Sequence, residues 1–413
     1  TELGSGIPLN DVKVTLSNND QPDYTNLQGT YVTGYYQVGT AQVLFEKVAY
    51  YPLTTSVSLI QGQEITLDAQ LTPIPPFNLQ VNVTDGVTGA PIFDAQVKLV
   101  HPLITHTGVT NALGEEQLVL FYQEQYQIYV GKWGYKTFCT SQVIDQNTQV
   151  LNVTLTPGYY DDFELDFGWS VNGTAHTGIW ERGNPHATSS GSVVVSDVPW
   201  DCGTSCFITG NDPNLHPDFD DVDQGNTVLV SPPMDLTSLT NPHVNFARGY
   251  YNYYGPQAVD DTLKVYISNG SQLVLIDAVS PPQGNAMTWE YKSIGLNGLI
   301  PITSSMQVVV SIADYDPNVN ITEAAFDEFY VTNNSVNSLV ETTNGLHIFP
   351  NPSHDFVTLT GISTNEPYVI MDNFGRIVAQ GQAETVELKL DVQHWHAGFY
   401  VVQQAGKLLK FIK

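Results

Sequence analysis

The sequence predicts an all-β chain built from several small antiparallel sandwiches in tandem. Three observations carry that prediction. Short apolar runs alternate with period two, as in Val12-Lys13-Val14-Thr15-Leu16 and Val386-Glu387-Leu388-Lys389-Leu390, with Gly, Pro, Asn or Asp in the gaps. One module recurs within the first 157 residues. The 413 residues exceed what one small β domain holds, so length suggests about three or four. No stretch has a helical period, and no run of about 18 apolar residues could span a membrane as a helix.

The recurrence is specific. Gly6-Ile7-Pro8-Leu9-Asn10-Asp11-Val12-Lys13-Val14-Thr15-Leu16 returns as Gly89-Ala90-Pro91-Ile92-Phe93-Asp94-Ala95-Gln96-Val97-Lys98-Leu99. Thr25-Asn26 with Gly29 returns as Thr110-Asn111 with Gly114, Lys47-Val48-Ala49-Tyr50 as Lys132-Trp133-Gly134-Tyr135, and Leu71-Thr72-Pro73 as Leu155-Thr156-Pro157. Offsets that stay between 83 and 85 mean two copies, 1–74 and 75–157, with Pro73, Pro75 and Pro76 as a stiff link. In each copy the alternation, such as Val43 and Phe45 or Ile65, Leu67, Ala69 and Leu71, reads as an Ig-like sandwich of roughly seven short strands. The Gly-x-Pro-Leu, Thr-Asn-x-x-Gly and Lys-x-x-Tyr pattern resembles the carboxypeptidase regulatory-like domain, which implies a spacer or interaction module. Copy two has the strand Leu79–Val83 ahead of its Thr84-to-Gly89 turn, whereas Thr1 aligns with Thr84. Copy one is therefore expected to lack an edge strand, as the C-terminal part of a longer polypeptide would, or as a module that receives a strand from a partner. No basic segment followed by an apolar one opens the chain, so any signal peptide is expected to be removed or to lie upstream.

From 158 to 334 the chain turns rich in Asp, Asn, Gly and aromatics, with β-branched runs such as Ser192–Val195, Leu263–Ser268 and Gln307–Ile312. Many short strands over this length predict a two-sheet jelly roll. Asp161-Asp162-Phe163-Glu164, Gly168-Trp169, Trp180-Glu181-Arg182-Gly183, an acidic loop from Asp212 through Asp218, Asp220, Asp221 and Asp223, and Ala325-Phe326-Asp327-Glu328-Phe329 resemble the MAM-type jelly roll of secreted bacterial proteases. The resemblance implies that first and last strands are neighbours, which brings Glu164 beside Asp327. Carboxylates closing together repel by several kcal/mol at low effective dielectric, and a Ca²⁺ ion with six to eight oxygen ligands resolves the conflict. The expected ligand pool is Asp162, Glu164, Asp221, Asp223 and Asp327, against a plain reading as a solvated acidic loop. Arg248-Gly249-Tyr250-Tyr251-Asn252-Tyr253-Tyr254 offers a second candidate: Tyr250 and Tyr251, with Trp180 and Arg182, as a stacking site for sugar rings on a surface glycan. Sandwich core is the plainer reading of those tyrosines, and it requires a central strand.

Three cysteines are few. Cys202 and Cys206 flank a Gly-Thr-Ser turn and are expected to form a small disulfide staple, while Cys139 reads as a buried thiol. The sequence contains no His-Glu-x-x-His, His-x-x-Glu, Gly-x-Ser-x-Gly or Gly-rich phosphate loop, so the chain is expected to be non-catalytic. The rival expectations are an accessory region of a larger secreted peptidase and a glycan- or protein-binding adhesin.

The residues from Leu346 to Lys413 again read as short strands between turns, a small Ig-like sandwich, after a flexible link at 335–345. Pro350-Asn351-Pro352, Gly375-Arg376, Gly398-Phe399-Tyr400-Val401-Val402 and the terminal Lys413 occur in the order that resembles the C-terminal sorting domain of type IX secretion substrates from Bacteroidota. That resemblance implies export through the periplasm, recognition by the type IX translocon and its outer-membrane shuttle, and removal of the domain by a sortase-like peptidase, leaving a secreted or surface-attached product. Charge separates this segment from the rest. The whole chain carries −28, yet from Leu346 onward five basic residues face six acidic ones, so −27 lies before it. So acidic a surface repels phosphate backbones and anionic lipid, which excludes nucleic acid as an expected partner and favours divalent cations.

Overall fold

The computed structural model describes the chain except residues 18–20, 35–37, 187–195, 213–219, 254–260, 281–286, 316–320, 334–346, 351–352, 354, 373–375, 397 and 405–406. All regular structure among the described residues is β, and no helix there is long and apolar enough to cross a membrane. The chain divides after Pro157 into two units, Thr1–Pro157 and Gly158–Lys413.

In copy one, β1 (Lys13–Leu16), β2 (Asp23–Tyr24), β3 (Gly39–Glu46) and β4 (Leu53–Leu59) form one antiparallel sheet in the order β2-β1-β3-β4. Val14, Leu16, Val43 and Phe45 share its buried face, as their period-two spacing dictates. Copy two repeats that sheet and adds another. Its strands are β5 (Phe77–Asp85), β6 (Gln96–His101), β7 (Ile104–Val109), β8 (Glu115–Leu120), β9 (Gln125–Gly131), β10 (Phe138–Val143) and β11 (Val150–Leu155), in the orders β10-β9-β6-β7 and β11-β5-β8. Leu79, Val81 and Val83 of β5 are 0–1% exposed and fill the space between the two sheets.

The comparison of copies corrects one expectation. β5 is first in sequence but central in its sheet, parallel to β11 and antiparallel to β8. The strand of copy two that precedes the turn aligned with Thr1 is therefore the middle of a sheet and not its edge. In copy one the segments 30–34 and 65–71 belong to no sheet strand, and the predicted closing strand at Ile65–Leu71 keeps only a parallel bridge from Leu71 to Glu2.

The repeated motifs are the same hydrogen bonds made twice. The Thr25 and Thr110 hydroxyls donate to the carbonyls of Leu9 and Ile92 and accept the N–H of Val12 and Ala95. Asn26 and Asn111 side chains accept N–H groups of their own turns. Lys47 and Lys132 donate to the carbonyls of Asn10 and Phe93, and Tyr50 and Tyr135 to the carboxylates of Glu2 and Asp85.

From Gly158, eleven strands among the described residues make two sheets. They are β12 (Tyr159–Asp161), β13 (Ser170–Gly173), β14 (Trp180–Gly183), β15 (Cys206–Thr209), β16 (Gly225–Val230), β17 (Pro242–Tyr253), β18 (Leu263–Ser268), β19 (Leu273–Val279), β20 (Glu290–Gly295), β21 (Gln307–Asp314) and β22 (Ile321–Asn333). One sheet runs β14-β15-β22-β17-β20, with β12 also on β22; the other runs β13-β16-β21-β18-β19. β21 alternates buried and half-buried residues, whereas β22 is buried on both faces over Thr322–Phe329.

The last strands among the described residues are β23 (His347–Phe349), β24 (Phe356–Thr360), β25 (Pro367–Asp372), β26 (Ile377–Gln382), β27 (Glu387–Asp391), β28 (Phe399–Gln404) and β29 (Lys407–Ile412). Their sheets are β23-β24-β27 and β26-β25-β28-β29, on a core that includes Val357, Leu359, Ile370, Val402 and Phe411. Tyr400 is buried against Trp395 and Phe411, Arg376 binds Asp372 at 2.7 Å, and Lys413 exchanges backbone hydrogen bonds with Gly398. Pro350 follows β23, while Asn351, Pro352 and Gly375, like the 335–345 link, lie outside the described residues.

Candidate metal centre

Strand β22 puts acids where a β-sandwich ordinarily has hydrocarbon. Glu323, Asp327 and Glu328 are 0–1% exposed on it. β12 pairs antiparallel with its far half, Asp161 opposite Phe329, so first and last strands adjoin and the chain leaving β12 carries Asp162 and Glu164 to the level of Asp327 and Glu328. Phe163 and Glu328 both have positive φ, 55° and 48°, a strained conformation for side chains of this size, and both stand next to buried carboxyls, Asp162 and Glu164 at the first and Asp327 at the second. Asp161 is held by the Phe163 N–H and the Trp169 indole.

The loop ahead of β15 completes the cluster from a third direction. Thr204 donates its N–H and hydroxyl to Glu164, and the Trp200 indole donates to Glu328. Asp197 and Asp201 of this loop bring one oxygen each to within 4.8 Å of an Asp327 oxygen and of each other. No sequence signal separated these two from the chain's other aspartates, because the loop that delivers them is positioned only by the fold.

Electrostatics make the cluster unstable as three anions. Two full charges 4.8 Å apart repel by about 3–4 kcal/mol even at an effective dielectric near 20. Asp162 Oδ2, both Asp197 oxygens, Asp201 Oδ2, Asp327 Oδ2 and Glu328 Oε1 are buried with no hydrogen-bond partner. Burial, then the Asp197 and Asp162 charges, pushes Asp201 to about 9, and burial followed by the Glu164 charge pushes Asp162 to about 7. Asp327 is raised well above the carboxylate range by burial, Asp201 and Asp197; burial lifts Glu328 to about 7 against the opposing Trp200 hydrogen bond. Arg248, the buried arginine of this sheet, is engaged by Asp277 and Glu290, and Arg182 donates to the Phe163 carbonyl.

The donor set fits a hard divalent cation. It is all oxygen, and two ligands each about 2.3–2.6 Å from a Ca²⁺ ion lie no more than about 5 Å apart, the spread seen for Asp197, Asp201 and Asp327. Zinc prefers nitrogen and sulfur, and magnesium keeps most of its waters.

The predicted pool is not one site. Asp162, Glu164 and Asp327 gather here, but Asp221 and Asp223 form a second group with Asp314, again within 4.8 Å. Asp221 accepts the Thr322 N–H, and Thr322 is five residues from Asp327, about 16 Å along a strand. Residues 213–219 of the acidic loop, including Asp218, lie outside the described residues.

Two other expectations fail. The proposed stacking set is unavailable to a ligand, since Trp180, Tyr250 and Tyr251 are 2–3% exposed. Tyr250 and Tyr251 are neighbours on β17 and so point to opposite faces of its sheet, and both are buried, Tyr251 against Cys206, Ile208 and Met287; Arg182 is tied to the Phe163 carbonyl and Asp166. Cys202 and Cys206 do not form a staple. Cys206 opens β15 as a free thiol packed with Ile208, Tyr251 and Ala325, whereas Cys202 is disulfide-bonded, as is Cys139, read from sequence as a thiol.

Residues 347–413 match the family described as the secretion system C-terminal sorting domain. No curated protein matches the chain. Among solved structures it is similar to a streptococcal ancillary pilin, at 16% identity and TM-score 0.28, over 36% of this chain and 58% of the pilin's. It is also similar to carbohydrate-binding modules of the β-sandwich superfamily, at 10% identity and TM-score 0.28, over 79% of this chain and 99% of that one. A family 11 carbohydrate-binding module from Clostridium thermocellum, in complex with a mixed-linked tetrasaccharide, is 8% identical with TM-score 0.24, over 41% of this chain and 92% of its own. These likenesses concern the β-sandwich fold alone.

Proposed function

We propose that the chain is a non-catalytic, multi-domain β protein exported by the type IX system and displayed at or released from the cell surface, with a calcium ion cementing its central domain. The match of residues 347–413 to a secretion-system sorting domain is the observation that supports it. On this reading the translocon and its outer-membrane shuttle engage the sorting domain, and a sortase-like peptidase cuts within the 335–345 link. The two repeat copies, similar to carboxypeptidase regulatory-like modules, act as spacers, and the MAM-like region from 158 to 334 is the functional cargo. Calcium is held by Asp197, Asp201 and Asp327, with Asp162, Glu164 and Glu328 around it; when bound it supplies the positive charge that the cluster lacks. The near-neutral sorting domain is read through its folded shape and strand motifs, without help from the acidic cargo. The test is to join 347–413 to an unrelated neutral protein bearing a signal peptide, in a bacterium with an intact type IX system. The fusion is expected at the surface or in the medium, and its retention in the periplasm overturns the reading.

A further inference from the structure

The second acidic group, Asp221, Asp223 and Asp314, lies where several strand ends of the central domain converge. Asp314 closes β21 and pairs with Gly225, the first residue of β16, so Asp223 arrives beside it just ahead of that strand. The Val222 N–H donates to the Thr322 carbonyl, and the Thr322 N–H donates back to Asp221 Oδ2 at 2.9 Å, which fixes Asp221 against the start of β22. Thr322 faces Asn252 across the β17–β22 pair. Asp314 belongs to one sheet and Thr322 and Asn252 to the other, so the group spans both layers of the sandwich.

The group is short of positive charge. One oxygen of each of Asp221, Asp223 and Asp314 lies within 4.8 Å of the other two, and Asp221 and Asp314 are 1% exposed. Burial, with the Asp223 and Asp314 charges, pushes Asp221 to about 8 against the opposing Thr322 N–H. The four Lys and Arg residues of 158–334 are placed elsewhere: Arg182 binds Asp166, Arg248 binds Asp277, Lys292 binds Glu290, and Lys264 is exposed on β18.

Asn252 points to a ligand independently of the acids. It is 4% exposed, and its amide reaches into the group, Nδ2 donating to Asp261 Oδ2 at 2.9 Å and to the Thr322 hydroxyl at 3.0 Å. That hydroxyl has one proton and two carboxylates in range, Asp261 at 3.0 Å and Asp314 at 3.4 Å. Asn252 Oδ1, on the same amide head, is buried with no hydrogen-bond partner. An amide oxygen left unsatisfied in the interior is costly, and carboxylate and amide oxygens together are the donor set of a hard divalent cation.

We propose that this group is a second calcium site, separate from the one at Asp327, in which Asp221, Asp223 and Asp314 are the charged ligands and Asn252 a neutral one. The ion fastens the two sheets together at this end of the sandwich. The Asp327 centre gathers more unpartnered oxygens among the described residues, so the second site is expected to fill at higher calcium.

Calcium titration of the full chain by equilibrium dialysis tests this, at about 0.15 M monovalent salt to screen diffuse binding to the acidic surface. A tighter and a weaker site are expected. Asp314→Asn and Asp223→Ala should each lose the weaker site and keep the tighter, and Asp327→Asn should do the reverse. Hydrogen exchange reads the unaltered second site in the Asp327→Asn chain, where the Val222 and Thr322 amides are expected to slow about tenfold or more as calcium fills it. The proposal is overturned if Asp314→Asn and Asp223→Ala both bind as much calcium as the wild type, or if those two amides exchange at the same rate with and without calcium. A wild-type binding curve from Asp327→Asn counts instead against the Asp327 site, so the two readings fail separately.

Discussion

Single residues explain why the repeat is visible at all. Asp85 accepts the N–H groups of Val87 and Thr88 and the hydroxyl of Tyr135, which together hold its carboxyl down at about 2. In copy one Glu2 takes the same role toward Tyr50, which with Ser5 lowers its carboxyl as well. Because the folded-state value of Asp85 lies below the unfolded one of about 3.9, its contribution is present above that pH and is lost as pH falls toward 2. Asp85→Asn keeps an acceptor for the two N–H groups and discards the charge. The wild type is expected to melt higher than the variant near neutrality, with the gap closing as pH is lowered from about 5 to about 2; a gap constant with pH refutes the assignment. Such residues were legible because each motif closes on partners its own copy supplies. Asp197 and Asp201 were not, since their significance comes from Asp327, more than a hundred positions away. The same distance misled the reading of Cys206, whose side chain faces the sheet interior.

At the level of elements, β22 decides the character of the central domain. A strand covered on both faces normally carries Val, Ile or Leu, but this one presents Asp327 and Glu328 to a region already crowded with Asp162, Asp197 and Asp201. Neutralising one acid therefore has a sign that depends on calcium. Without the ion, Asp327→Asn removes a desolvated, repelled group and is expected to leave stability unchanged or raised; with the ion, it removes a ligand and is expected to lower it. Wild-type thermal unfolding in EDTA and then at a calcium concentration about 100 times the dissociation constant should differ by about 2.7 kcal/mol, or about 5–10 °C, and the variant by far less. Equal responses would argue against Asp327 as a ligand. In copy one the element-scale lesson is the reverse: β1, β3 and β4 form from their own alternation, while 65–71 has the alternation and no sheet, because a strand needs a neighbour as well as a pattern.

For the whole molecule, −28 on 413 residues with the sorting domain near neutral means that charge relief acts on the cargo. Monovalent salt is expected to raise every cargo transition modestly in calorimetry, whereas calcium at matched ionic strength raises one selectively, that of the domain holding Asp327; a uniform calcium effect would reduce it to screening. By itself the sequence determined the all-β class, the two copies with their 83-to-85 spacing, the sorting domain near Leu346 and the surplus of acid, because periodicity, repeated turn chemistry and composition are local quantities. Only the tertiary structure decided that the acids divide into two groups, that Tyr250 and Tyr251 are core, that Cys206 is free, and that the first strand of copy two is a central one. Each of those depends on which distant strands become neighbours, and strand order is set by burial summed over the whole sheet, a quantity no short stretch of residues contains.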